Sequence, residues 1–110
     1  MSKRILQIND LIRELLGDLV LREVAFKTGT LVTITRTDTS ADLRHSRVFV
    51  SIYPEQETGY ALKTLEHERK KLQGALHRKL HMKPLPLISF HSDTTERNAD
   101  IVERIIIGLK

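Results

Sequence analysis

His77 and His81 stand four residues apart, the spacing at which two imidazoles on one helical turn can chelate a metal ion. Their neighbours argue against it, because Arg78 and Lys79 repel a cation and no glutamate completes an HExxH arrangement. On a basic helix the same two imidazoles belong to the polar face instead. His91, Ser92 and Asp93 hold the residue types of a nucleophilic triad, but immediate neighbours on a strand and turn do not easily converge. His45 and His67 read as ordinary surface residues. GxSxG, the phosphate-loop pattern and a strand-linked GxGxxG are all missing. Nothing supplies a nucleophile, a base and an orienting group together, so the chain reads as a non-enzyme without metal, cofactor or small-molecule substrate.

What the chain does offer is concentrated positive charge. From residue 69 to residue 92 there are six Lys or Arg (Arg69, Lys70, Lys71, Arg78, Lys79, Lys83) and no Asp or Glu. That window carries +6 of a net charge of +4, which leaves −2 for everything outside it. A patch so localised is the footprint expected for a polyanion partner; an ordinary solvated helix face usually mixes signs. RNA suits the composition better than duplex DNA. With only Phe26, Phe49, Phe90, Tyr53 and Tyr60 available for base stacking, recognition would lean on phosphate contacts and shape.

These residues need a scaffold, and hydrophobic spacing supplies one. Apolar residues at Ile5, Ile8, Leu11, Ile12, Leu15, Leu16 and Leu19 repeat at helical intervals. "KTGT" (27–30) is a turn, and "TLVTITRTDT" (30–39) is a Thr- and Val-rich strand in which Val32 and Ile34 share a face. "RVFVSIY" (47–53) alternates again, with Val48, Val50 and Ile52 opposite Phe49, Ser51 and Tyr53, and Pro54 stops it. Two strands joined by the short "SADLRHS" pair most simply as antiparallel neighbours.

Helix resumes near Thr58 or Gly59 and is expected to run towards Met82. At 100° per residue, Leu62, Leu65, Leu72, Leu76 and Leu80 fall on one side, and Lys63, His67, Lys70, Lys71, Gly74, His77, Arg78 and His81 on the other. Gly74 in the middle of the basic side costs about 1 kcal/mol relative to alanine. Two readings, mutually compatible, account for it: it bares the backbone for close approach of a phosphate, or it breaks the segment into two helices. A strand over residues 87–91 follows. Asp93 with Glu96 resembles a capping box that opens a final helix with Ile101, Val102, Ile105, Ile106 and Leu109 on its apolar side. Helices on one face of a small three-stranded sheet make an α+β layer architecture.

The 110 residues fit one domain, residues 1–110, with no linker or repeat. Absence of cysteine suits a reducing cytoplasm. No apolar run is long enough to span a bilayer, and the start "MSKRILQIND" lacks a signal-peptide core, so a cytoplasmic protein with no membrane partner is expected. Monomer is the default.

Two stretches resemble a known family. "VTITRTDTSADLRHSRVFVSIY" (32–53) is similar to the strand, Ser-x-Asp-Leu connection and second strand of bacterial ribosome-binding factor A. "LPLISFHSDTT" (85–95) is similar to that family's Pro-x-Leu-x-Phe-x-x-Asp segment before the last helix, and the likeness runs from about residue 4 to 106. The resemblance implies a type II KH-like fold, ordered helix, strand, strand, helix, kink, helix, strand. It implies a non-catalytic assembly factor that binds the small ribosomal subunit and its 16S-type rRNA late in maturation, near the rRNA termini and decoding centre, and supports growth in the cold. The family's Ala-x-Gly kink is not matched here. Ungapped placement back from Pro86 puts it on Glu68, Arg69 and Lys70, four residues before Gly74, and leaves open whether the kink moves to Gly74 or is absent. The family's frequent Asp-Pro before the first strand is also missing.

The expected RNA-binding set is therefore Lys70, Lys71, Gly74, Arg78, His81 and Lys83, with Arg44 and Arg47 as supporting contacts beside the sheet. A protein-interaction module whose basic face docks on an acidic partner is the competing reading.

Overall fold

A computed structural model describes residues 2–83 and 85–93. The helical repeat at the start of the chain becomes α1, Lys3–Glu23, capped by Ser2, whose Oγ accepts from the Ile5 amide at 3.2 Å. It outruns the apolar repeat by one turn, carried by Val20 and by the Asp18–Arg22 ion pair at 2.9 Å. Two strands follow, β1 (Leu31–Thr39) and β2 (His45–Tyr53), then α2 (Thr58–His67), α3 (Arg69–Lys79) and β3 (Leu87–Ser92). Strand order is β1-β2-β3, with β1 antiparallel and β3 parallel to β2. A parallel pair needs a long crossover, and α2 with α3 provides it. The order is that of the type II KH-like fold. The expected C-terminal helix lies outside the described residues.

Among the described residues, helices cover one face of the sheet and none covers the other, the open face. Ile34, Val48, Val50 and Ile88 point inward onto Ile8, Ile12, Leu16, Leu19, Leu65, Leu72 and Leu76 of the helices. Val48 and Val50 alternate with Phe49 and Ser51 as the period of two requires.

Strand β1 departs from simple alternation. Ile34 pairs with Val50 and Arg36 with Phe49, so Thr35 is an extra residue, a β-bulge. Beyond it the inward positions are Thr37 and Thr39, both buried. They are satisfied by α1 and β2: Thr37 Oγ1 donates to the Asn9 carbonyl, the Thr39 amide to Asn9 Oδ1 at 2.9 Å, and Thr39 Oγ1 lies 2.8 Å from Ser46 Oγ. A polar layer thus closes the hairpin end of the core.

The "SADL" connection is shaped by its own side chains. Ser40 Oγ donates to Asp42 Oδ1 at 2.6 Å, and Asp42 Oδ1 accepts from the Arg44 amide at 3.0 Å. Leu43 adopts a left-handed φ of 62°, a conformation that costs a branched residue about 1–2 kcal/mol. Its side chain packs against the core, which offsets that cost.

Candidate nucleic-acid interface

The segment expected as one helix with a possible break at Gly74 is broken at Glu68 instead. Glu68 has φ −92° and ψ 0°, while its amide still donates to Thr64 O at 3.0 Å and its carbonyl accepts from Leu72 N at 3.0 Å. Hydrogen bonding therefore continues through the bend. Gly74 lies inside α3 and breaks nothing, which corrects that half of the sequence reading. The two helices have different neighbours, α2 against β2 and β3 and α3 against α1 and β3, and that divergence turns the axis where no residue type announces it.

Five cations occupy α3: Arg69, Lys70 and Lys71 in its first turn, Arg78 and Lys79 in its last. Arg78 and Lys79 complement the negative end of the helix dipole. The first-turn cations do the reverse, with no carboxylate in that turn, so the local arrangement is unfavourable to the helix itself. Lys70, Arg78, Lys79 and Lys83 are exposed and form no ion pair with any described residue, whereas Arg69 is held by Glu66 at 3.0 Å.

Lys71 and His77 have structural engagements. Lys71 Nζ donates to the Glu23 carbonyl at 3.2 Å, closing the C-terminus of α1. His77 Nε2 lies 2.7 Å from Nε2 of Gln73. Gln73 is buried and also donates to Pro86 O at 2.9 Å while its Oε1 accepts from Ile88 N at 2.8 Å. It thereby satisfies the outer edge of β3 as a neighbouring strand would. Sequence reasoning missed Gln73, whose polarity resembles that of any surface residue.

Gly74 faces outward between Lys70 and Arg78. Among the described residues, a Cβ there would meet only Arg78 Nη1, at 3.8 Å, an ordinary contact. Neither packing nor backbone conformation requires glycine, so its effect is to bare the helix backbone among the cations. His81 does not belong to the helix as expected: α3 ends at Lys79 with Leu80 extended, which places His81 and Lys83 on the connection to β3. Arg44 lies at the end of the sheet that this connection enters, its carbonyl accepting from Leu87 N at 2.8 Å. Arg47 is apart from all of these. It projects from the open face of the sheet, paired with Asp38.

Enzyme-like groupings do not assemble among the described residues. The His91 ring contacts Ser89 Oγ at 2.8 Å and Asp93 accepts from Thr35 Oγ1 at 2.6 Å, so His91 and Asp93 engage separate partners. Among the described residues, no group of three His, Asp or Glu is placed to hold a metal, and no described helix is long and apolar enough to cross a membrane.

The family model for ribosome-binding factor A matches residues 4–106. The chain belongs to that family. A ribosome-binding factor A from Syntrophobacter fumaroxidans is 31% identical over 94% of this chain and 92% of its own length. The crystal structure of ribosome-binding factor A from Thermus thermophilus superposes with a TM-score of 0.68, at 22% identity, covering 78% of this chain and 91% of that one. A homology model of the Thermus thermophilus factor, fitted into a cryo-electron microscopy map of its complex with the 30S subunit, gives 0.64 at 25% identity, covering 76% and 88%. Seen as a ribosome-binding factor A, the chain bends at Glu68, the first of the three positions onto which ungapped placement carries the family's Ala-x-Gly motif.

Proposed function

We propose that the protein binds the small ribosomal subunit through its rRNA, without catalysis, during late maturation of that particle, and that it works as a cytoplasmic monomer. The observation that carries this reading is the α3 stripe: exposed cations unneutralised by described carboxylates, arranged around a glycine that packing does not require. Family membership supports it, as does the complex in which the Thermus thermophilus relative was fitted. Lys70, Arg78 and Lys83 would neutralise phosphates, Gly74 would admit a backbone, and Lys71, His81 and Arg44 would flank them. Binding of this kind acts by favouring one conformation of the rRNA over another, by the difference in affinity.

The test is co-sedimentation with small subunits, large subunits and joined ribosomes across a salt series, using wild type and the Lys70→Glu/Lys71→Glu/Arg78→Glu variant. With roughly five phosphate contacts, log K falls with log salt at a slope of about −3.5 to −4.5. Selective, salt-sensitive association with free small subunits, lost in a folded variant, is the expected result. A flat salt response or an unaffected variant would overturn it, and binding that survives ribonuclease would reassign the patch to an acidic protein.

A further inference from the structure

The open face of the sheet carries a row of three side chains that are distant in sequence. Arg36 pairs in register with Phe49, and Phe49 with His91, so the three lie side by side across β1, β2 and β3. The Arg36 guanidinium carbon sits 3.8 Å from the Phe49 ring centroid, and the His91 ring 5.6 Å from it with a 36° tilt. Ser89 holds His91 Nε2 at 2.8 Å. The row depends on the bulge: simple alternation from Val32 and Ile34 would send Arg36 into the core, and the extra residue Thr35 turns it outward. Bulges re-aim side chains in this way near binding sites.

Among the described residues, Arg36 on this face has no ion-pair partner, for a reason visible in the contacts. Asp38 is taken by Arg47, and Asp93 is buried and hydrogen-bonded to Thr35. Arg47 adds a second guanidinium 5.8 Å from the Phe49 centroid, more than half exposed. The guanidinium lies over the Phe49 ring and the imidazole tilts against it, so Phe49 supports the other two and the π surfaces left outward are the Arg36 plane and the exposed His91 ring, beside positive charge. Nucleobases stack on aromatic rings and on arginine planes alike, with adjacent cations available for phosphate.

We infer that the Arg36–Phe49–His91 row is a stacking platform for an unpaired base of single-stranded RNA, on the sheet face away from the core rather than on α3. The inference rests on the RNA-binding reading above but uses different residues. A planar base fits against a guanidinium plane and an imidazole better than a peptide does, whose side chains need pockets.

Affinity would be measured for an unstructured RNA of about eight nucleotides, within the footprint range of single-strand binders, and for a blunt RNA duplex. Phe49→Leu should weaken single-strand binding roughly five- to hundredfold, the range that base stacking commands, and leave duplex binding unchanged. Phe49→Tyr should retain it, and amide shifts on titration should centre on Arg36, Phe49 and His91. Arg36→Gln and His91→Ala change side chains at the surface of the row and carry the test should Phe49→Leu fold poorly. Unchanged single-strand affinity in these variants, no binding of the oligonucleotide by wild type, or capture of an acidic protein alone by this face would each overturn the platform. If small-subunit association still depends on the α3 cations, only the platform falls; if that association is itself absent, the reading beneath it falls too.

Discussion

Along α3, the cations come from one short run of chain and stand on a surface that is unfavourable to its own helix. The open sheet face instead draws Arg36, Phe49 and His91 from three strands, and each is held by its neighbours in the row. The difference is one of preorganisation. On the proposed reading, exposed side chains such as Lys70 and Lys83 would meet phosphates as mobile point charges, tolerant of sequence and position. A row fixed by its own contacts would present one orientation and report whether a base is unpaired. Charge would then supply attraction on the first surface, and shape discrimination on the second.

The most severe way to break the comparison is to reverse charge on α3. Exchanging Lys70, Lys71 and Arg78 for glutamate should flatten the salt dependence of subunit binding by about 2 to 3 units of slope, taking roughly 0.7–0.9 per lost phosphate contact. Titration by salt reads this, and circular dichroism checks that the variant stays folded without the Lys71 bond to α1. Next in size is Gln73→Ala, which strands Ile88 N and Pro86 O at the buried edge of β3. Urea unfolding should show a loss of about 2–6 kcal/mol, at roughly 1–3 for each of the two unsatisfied groups. Because Gln73 joins α3 to the strand that carries His91, both surfaces should weaken together.

Gly74→Ala sharpens the comparison by separating stability from binding. With only an ordinary contact awaiting the new methyl, the variant should be more stable by about 0.5–1 kcal/mol. Subunit affinity should nevertheless fall, while single-strand binding on the sheet face stays the same. Equal subunit affinity would mean that no backbone approaches Gly74.

The smallest effect concerns the turn that holds β1 and β2 in register. The Ser40 hydroxyl, then the Arg44 amide, hold the Asp42 carboxyl below its ordinary value of 3.8. A carboxyl depressed in the folded state contributes fully above its unfolded value and loses that contribution as pH falls through the folded one. The protection of the Arg44 and His45 amides, taken relative to intrinsic exchange at the same pH, should fall as pH drops below that ordinary value. Asp42→Asn should remove the transition.

Much of this protein could be read from local patterns. The 3.6-residue repeat from Ile5 to Leu19 marked α1, the two-residue alternation of Val48, Val50 and Ile52 marked the inner face of β2, and the cluster of Lys and Arg marked α3 as the charged element. These signals are short-range, because burial on a helix or strand is periodic and charge is additive along the chain. Fold class followed, and so did the family likeness carried by "SADL" and "LPLISF".

Other features are decided by partners far away in sequence. The bend at Glu68 has no glycine or proline to mark it and arises because α2 and α3 follow different neighbours. Gln73 and Lys71 look like solvated helix residues until β3 and the end of α1 come within reach. The bulge at Thr35 exists only relative to β2, since an extra residue has meaning only against a ladder. For the same reason no inspection of one segment places Arg36, Phe49 and His91 in a row. Sequence determined which elements form and where charge lies; tertiary structure decided which of those charges remain free, because pairing and register are relations between segments.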